Sequence, residues 1–241
     1  MINAPYTYWV GMDIPEDTGA AALADFNHFY TNTHVREVLA SNPGFLRGRR
    51  YELAQDDPRG PQGPRFLAAY DIENEVGALG YIARNDGPPE GRPKYSQGPS
   101  AWQKHTTNWR LMWRRILTVP QDALAKEAPY IYLIGMNAPA DANAVDLAEF
   151  NAFYSNVHVP EVIAANGFER GVRYERMREF AHPKPGGPRF LALYAIKDEA
   201  AARAHMQSRA TPRTGASTLS EGPRVWQRHD TLWRLTYRRV E

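Results

Sequence analysis

The sequence predicts an α+β fold: two β-α-β-β-α-β units in one chain, with antiparallel sheets packed face to face. Three observations carry this. The segment FNHFYTNTHVREV at 26–38 returns as FNAFYSNVHVPEV at 150–162, and four further segments return with it. The apolar period switches between two and 3.6 in the same order in each copy. A sheet with helices on only one face needs its other face covered, and a second unit supplies the cover.

The repeats are extensive. YTYWVGMD at 6–13 matches YIYLIGMN at 130–137, and NPGFLRGRRYE at 42–52 matches NGFERGVRYE at 166–175 with one residue deleted. GPRFLAAYDI at 63–72 matches GPRFLALYAI at 187–196, and WQKHTTNWRLMWRRI at 102–116 matches WQRHDTLWRLTYRRV at 226–240. His158 follows His34 by 124 residues, as Tyr194 follows Tyr70 and His229 follows His105. A fused tandem duplication accounts for this, with units over 1–120 and 121–241 and a join near 118–129.

Each unit opens on an aromatic and β-branched strand, YTYWVGM or YIYLIGM. An amphipathic helix follows over about 20–40 or 144–164, with Leu23, Phe26, Tyr30 and Val38 at helical spacing. Two strands come next, GFLRGRRYEL and RFLAAYDI in the first copy, across a Pro/Gly-rich loop. A second helix is expected over 73–83 or 198–209, then a long loop and a last strand, NWRLMWRRI or LWRLTYRRV. This order is that of a ferredoxin-like unit.

Composition sets the outer limits. With 43% apolar residues the 241-residue chain can bury a real core. A net charge of +2 with scattered arginines argues against nucleic-acid binding. The absence of cysteine excludes disulfides, thiolate metal sites and cysteine nucleophiles. No apolar run reaches membrane-spanning length, and no signal peptide is evident, so a cytoplasmic protein without a membrane partner is expected.

Strand alternation sorts the next candidates. Arg50, Glu52, Arg110 and Arg114 share one face, and Arg173, Glu175, Arg234 and Arg238 share its counterpart. They form either an ion-pair network where the sheets meet or a clamp for an anionic substrate. Gly48 and Gly171 mark a bulge, a ligand or the close approach of a helix.

The repeated helix carries candidate chemistry. Tyr30 and His34 lie one turn apart, as do Tyr154 and His158, and Glu37 and Glu161 follow three residues later. Histidine titrates nearest neutrality, a carboxylate can orient its ring, and a phenol can donate to a substrate oxygen. Pro160 predicts a helix break near Val159, softer in the first copy where Arg36 replaces it. Trp102 with His105, and Trp226 with His229, precede the last strands and suit an aromatic wall with a second acid–base group. Phe29, Phe153, Tyr51 and Tyr174, with Arg50 and Arg173, complete the expected substrate pocket. For each of these the alternative is ordinary packing. The unrepeated His28, His182 and His205 are expected at the surface.

The order, the duplication and the motif FYxxxHxPEV followed by GFxRGxRYE resemble the dimeric α/β-barrel superfamily, in particular its EthD-like branch. The resemblance implies a pseudo-dimeric α/β barrel within one chain, free to assemble into a further homo-oligomer. It also implies a pocket between sheet and helices where His, Tyr and Arg do acid–base work without a cofactor. The expected function is a cofactor-independent lyase or isomerase acting on a hydrophobic, oxygenated small molecule of aromatic or polycyclic type. The alternatives are a cofactor-independent monooxygenase on a phenol, a haem protein of the kind known on this fold, and a non-catalytic binder. No metal site is expected, because His34 and Glu37 offer only two ligands per half, and there is no GxGxxG, P-loop or GxSxG.

Overall fold

The computed structural model describes residues 3–121, 127–210 and 219–240. Residues 122–126 of the expected join and 211–218 of the second long loop lie outside them.

Eight strands form one closed antiparallel barrel. In chain order they are β1 (Tyr6–Asp13), β2 (Phe45–Gln55), β3 (Phe66–Ile72), β4 (Thr106–Val119), β5 (Tyr130–Asn137), β6 (Arg170–Glu179), β7 (Phe190–Ile196) and β8 (Asp230–Val240). Around the barrel they run β1-β3-β2-β8-β5-β7-β6-β4. The two four-stranded halves do not only face each other across a core, as expected. They are also hydrogen-bonded edge to edge, β2 to β8 and β4 to β6, which leaves no free strand edge. At these seams Glu52 accepts from Arg65 and Arg238, and Glu175 accepts from Arg114 and Arg189. The expected ion-pair network is therefore split into two half-exposed clusters that add little stability.

Alternation along each strand separates two environments. Trp9, Tyr51, Trp109, Leu111, Trp113, Tyr174, Trp233 and Tyr237 fill the barrel interior. Tyr8, Met12, Tyr70 and Met112, with their counterparts Tyr132, Met136 and Tyr194, face outward beneath the helices. β3 and β7 are covered on both faces, so FLAAYDI and FLALYAI are buried throughout.

The helices are α1 (Ala20–Phe29), α2 (Val35–Ser41), α3 (Glu75–Asp86), α4 (Ser100–Gln103), α5 (Ala144–Phe153), α6 (Val159–Asn166), α7 (Glu199–Ala210) and α8 (Arg224–Gln227). Sequence reasoning placed loops at α4 and α8. α5 starts in a capping box between Asn143 and Asp146, and α6 stops at Gly167 in the left-handed region. Between α1 and α2 the chain makes a five-residue π turn, Tyr30–His34, and between α5 and α6 an equal one, Tyr154–His158. The expectation of a softer break in the first copy is corrected: both copies widen by the same turn. Proline cannot be its cause, since Arg36 stands where Pro160 does.

Gly48 and Gly171 lie where α2 and α6 cross the sheet. A Cβ on Gly48 would meet Val35 Cγ1 at 2.5 Å and the Tyr70 ring at 3.1 Å. One on Gly171 would meet Val159 Cγ1 at 2.9 Å. Of the three readings, helix packing is the one the geometry supports. Gly48→Ala is expected to cost about 1–3 kcal/mol through overpacking. An unchanged urea midpoint would show that the helix does not rest on this glycine.

Candidate active site

Each π turn is held from below by a buried arginine. Arg50 and Arg173 are 3% and 0% exposed, with no carboxylate partner among the described residues. Arg50 donates to the Asn27 carbonyl (3.0 Å), Asn27 Oδ1 (2.8 Å) and Thr31 Oγ1 (2.9 Å). Arg173 donates in the same way to the Asn151 carbonyl, Asn151 Oδ1 and Ser155 Oγ. Their guanidinium carbons lie 4.3 and 3.8 Å from the Tyr30 and Tyr154 ring centres. Burial pulls both guanidinium pKa values down, that of Arg173 to about 10. These arginines, expected to hold substrate, are used to hold the helix.

Tyr30, His34, Trp102 and His105 come together. The His34 ring lies 4.4 Å from Trp102, 5.4 Å from Tyr30 and 5.0 Å from Tyr95, and Trp102 lies 4.6 Å from His105. They line a cavity of about 270 Å³ with Tyr8, Tyr81, Asn85, Arg92 and Arg110. Phe29 stands behind Trp102 at 5.3 Å. Gly98, at φ +67°, presses against both rings: a Cβ there would be 2.6 Å from each. The second half repeats the contacts, with His158 4.5 Å from Trp226, Tyr154 5.0 Å from it, Phe153 5.1 Å and His229 4.4 Å.

Two expected roles change. Glu37 lies 3.8 Å from His34 Nδ1, beyond hydrogen-bond reach, and accepts from the Ser96 amide and hydroxyl. Glu161 does the same for Ser220. Both carboxylates pin the long loop to the helix. Tyr51 and Tyr174 lie inside the barrel, on the opposite side of the sheet from Tyr30 and Tyr154. Each follows an outward-facing arginine, so alternation forces it inward. The unrepeated histidines also differ from expectation. His28 is exposed, but His205 is buried against Tyr132 and Phe168, and the His182 side chain is buried against Glu179.

Burial lowers the His34 pKa to about 4, against the pull of Glu37, and the His158 pKa to about 4 with His229 adding to the effect. Both rings are neutral at pH 7. Burial also raises the Tyr30 and Tyr154 phenols, so they stay protonated. His105 Nδ1 is within hydrogen-bond reach of the Trp102 carbonyl, and His229 Nδ1 of the Trp226 carbonyl. A carbonyl only accepts, so Nδ1 carries a proton, and in the neutral tautomer the lone pair then sits on Nε2.

Tyr8, Tyr81, Asn85, Arg92 and Tyr95 of the cavity are not among the site residues the sequence suggests, whereas Arg110 belongs to the strand face read there as a seam network or an anion clamp. Arg110 donates to Tyr8 Oη (3.2 Å) and Asn85 Oδ1 (3.0 Å), and Arg92 to the carbonyls of Asn85 and Gly87. Neither makes an ion pair among the described residues. The second half departs here. His205 replaces Tyr81, and Arg209 replaces Asn85 and lies 4.7 Å over the Tyr132 ring. Arg209 donates to Gln55, Thr236 and the Arg234 carbonyl. A guanidinium thus covers the tyrosine that, in the first half, faces the cavity.

The buried neutral histidines link stability to pH. Their folded pKa lies below the ordinary 6.5, so on acidification the unfolded chain takes up protons first. Stability is whole above about pH 6.5 and falls until about pH 4, by up to about 3 kcal/mol per histidine. Urea unfolding between pH 7 and pH 4.5 should show this loss, and the His34→Gln/His158→Gln variant should lose less. An equal slope in the double variant would contradict it.

No protein-family model matches the chain, and no curated protein matches it in sequence. Solved structures do resemble it. An anthrone oxidase-like protein superposes with a TM-score of 0.54 at 10% identity, covering 98% of this chain and 92% of its own. A candidate chlorite dismutase gives 0.52 at 14% identity, covering 98% and 94%. A variant of the chlorite dismutase from Candidatus Nitrospira defluvii gives 0.50 at 8% identity, covering 98% and 91%. At these identities the likeness concerns the fold alone: an α+β chain closed into an eight-stranded antiparallel barrel of the dimeric α/β-barrel type.

Proposed function

We propose that the chain is a cofactor-independent acid–base enzyme, of lyase or isomerase type, acting on an oxygenated aromatic small molecule in the first-half cavity. One observation carries this. Two histidines, His34 and His105, and two arginines without carboxylate partners among the described residues, Arg92 and Arg110, line one aromatic-walled cavity. His105 Nε2 is the proton acceptor, with its tautomer set by the Trp102 carbonyl. Arg110, backed by Tyr8 and Asn85, meets the oxygen on which charge develops. His34 and Tyr30 stay uncharged and shape the wall. The reading includes an origin by tandem duplication of a ferredoxin-like unit of EthD-like type, with halves 1–120 and 121–241. The second half keeps the frame and sets Arg209 over Tyr132, the counterpart of Tyr8.

The name of the anthrone oxidase-like structure favours a second reading, oxygenation of a phenolic substrate in the same cavity without a cofactor. A haem does not fit here. A cavity of about 270 Å³ takes a small aromatic ring system but not a porphyrin, and His34 is walled by Trp102 and Tyr95.

A panel of hydroxylated aromatic and polycyclic ketones, followed by mass spectrometry with an oxygen electrode, separates the readings. Turnover without oxygen uptake supports the first, and stoichiometric uptake the second. His105→Gln and Arg110→Met are each expected to lower kcat/KM by about 10²–10⁴-fold. Full activity in both variants would place the chemistry at a different site, and no turnover of any panel member would leave a binding protein.

A further inference from the structure

We propose that the mouth of the barrel is a second ligand site, built for a small aromatic acid that also carries a hydroxyl or amino donor. A cavity of about 580 Å³ lies there between the β2–β3 and β6–β7 loops, within the range of small-molecule sites. It sits at the rim of the barrel, whereas His34 and His105 lie on its outer face. It therefore stands independently of the function proposed for that face.

Its base is the indole pair Trp109 and Trp233, stacked at 4.1 Å and 18°. Each tryptophan is preceded by a β-bulge residue. The ladder steps from Gly11–Trp109 to Met12–Thr107 and skips Asn108, and likewise skips Leu232 in β8. Bulges at barrel rims re-aim side chains. The re-aimed residue is polar in one copy and apolar in the other.

Asn108 is 3% exposed and lines the cavity. Its Nδ2 donates to Asp13 Oδ2, and Asp13 Oδ1 accepts from the Arg65 amide at 2.6 Å. Facing a carboxylate, the amide cannot turn its oxygen round. Asn108 Oδ1 is thus left covered and with no hydrogen-bond partner, and a small turn of this side chain toward the cavity would let a ligand's donor supply one.

Besides the Asp13 carboxylate, the charged side chains that line the cavity are Arg59, which is paired with buried Asp57, and Lys184. Arg59 donates to both oxygens of buried Asp57 and to the carbonyls of Thr231 and Leu232, which leaves one N–H on Nη1 uncommitted. Lys184, on the other loop, makes no ion pair among the described residues. An acid group suits these two, and a flat ring suits the indole base.

The rim is set in advance. Asp56 Oδ1 accepts from the amides of Asp57, Gln62 and Gly63, and Glu179 Oε1 from those of Gly186 and Gly187 and from His182. The two loops differ in sequence, yet each is wound around one carboxylate. A ligand entering here need not order them, which removes a usual cost of binding.

Calorimetric titration of the full chain with 4-hydroxybenzoate, benzoate and phenol tests this. 4-Hydroxybenzoate is expected to bind about tenfold or more tighter than either analogue. Lys184→Gln, at an exposed position, and Arg59→Gln should each weaken both acids about tenfold. Asn108→Leu, the residue that the second copy tolerates at this bulge, should abolish the preference for 4-hydroxybenzoate over benzoate. No binding at millimolar 4-hydroxybenzoate would overturn the proposal, as would affinities that none of the three variants changes. Loss of binding in His34→Gln would place the probe in the outer cavity and overturn it as well.

Discussion

The buried guanidinium of Arg50, and that of Arg173, is the constraint on which the outer layer depends. Taking a charge out of water costs several kcal/mol unless hydrogen bonds replace the lost hydration. No carboxylate is at hand among the described residues, so the helix must supply the acceptors. It does so with the Asn27 carbonyl and side chain and with Thr31, and in the second half with Asn151 and Ser155. The tyrosine ring closes the remaining side as a π acceptor. This grip fixes where Tyr30 and His34 stand relative to the sheet. The same strand carries Gly48 two residues earlier, which lets the helix come close enough to be gripped. The asparagine and the tyrosine of the motif FNxFY are thereby explained as partners of one arginine, while its second phenylalanine packs on Trp102 or Trp226.

The π turn follows from the same contact more readily than from proline. Both copies have the arginine, the asparagine and the wide turn, while only one has the proline. π turns inside helices recur at functional sites, where they displace side chains from regular helical positions. Here the turn runs from the tyrosine to the histidine. The histidine at its end meets Trp102 or Trp226 and is buried there in its neutral form.

Element order, the repeat and the helix–tryptophan–histidine cluster were legible in the sequence, because they are what the two copies share. Tyr30, His34, Trp102 and His105 were found in this way, and they do line one cavity. Where the copies differ, the repeat carries no such signal. Tyr81 answers to His205 and Tyr95 to Leu219, so neither stood out. Arg110 is repeated but was grouped with seam residues of its strand face; its fate depends on Tyr8 and Asn85, which no spacing brings together. Tyr51 adjoins Arg50 in sequence, but neighbours on a strand face apart. Glu37 stood at the right spacing for His34, but Ser96, 59 residues further on, takes it.

The packing of the barrel decides where function can reside. Trp9, Trp113, Tyr51, Tyr174 and Tyr237 are almost fully buried within it, so the interior is a core and admits no ligand. Space remains on the outer faces, under the long loops, and at the mouth. In both places the halves carry different residues: Asn85 against Arg209 on the outer face, and Asn108 against Leu232 at the mouth. In a barrel made of two identical chains every substitution appears twice, once at each related position. A chain that holds both halves covalently is free of that constraint. It can set a guanidinium over Tyr132 in one half while the counterpart Tyr8 faces a cavity in the other, and can make one side of the mouth polar and the other apolar. The frame residues are symmetric because each half must hold its own helix on its own sheet, whereas the cavity residues are not bound by that requirement.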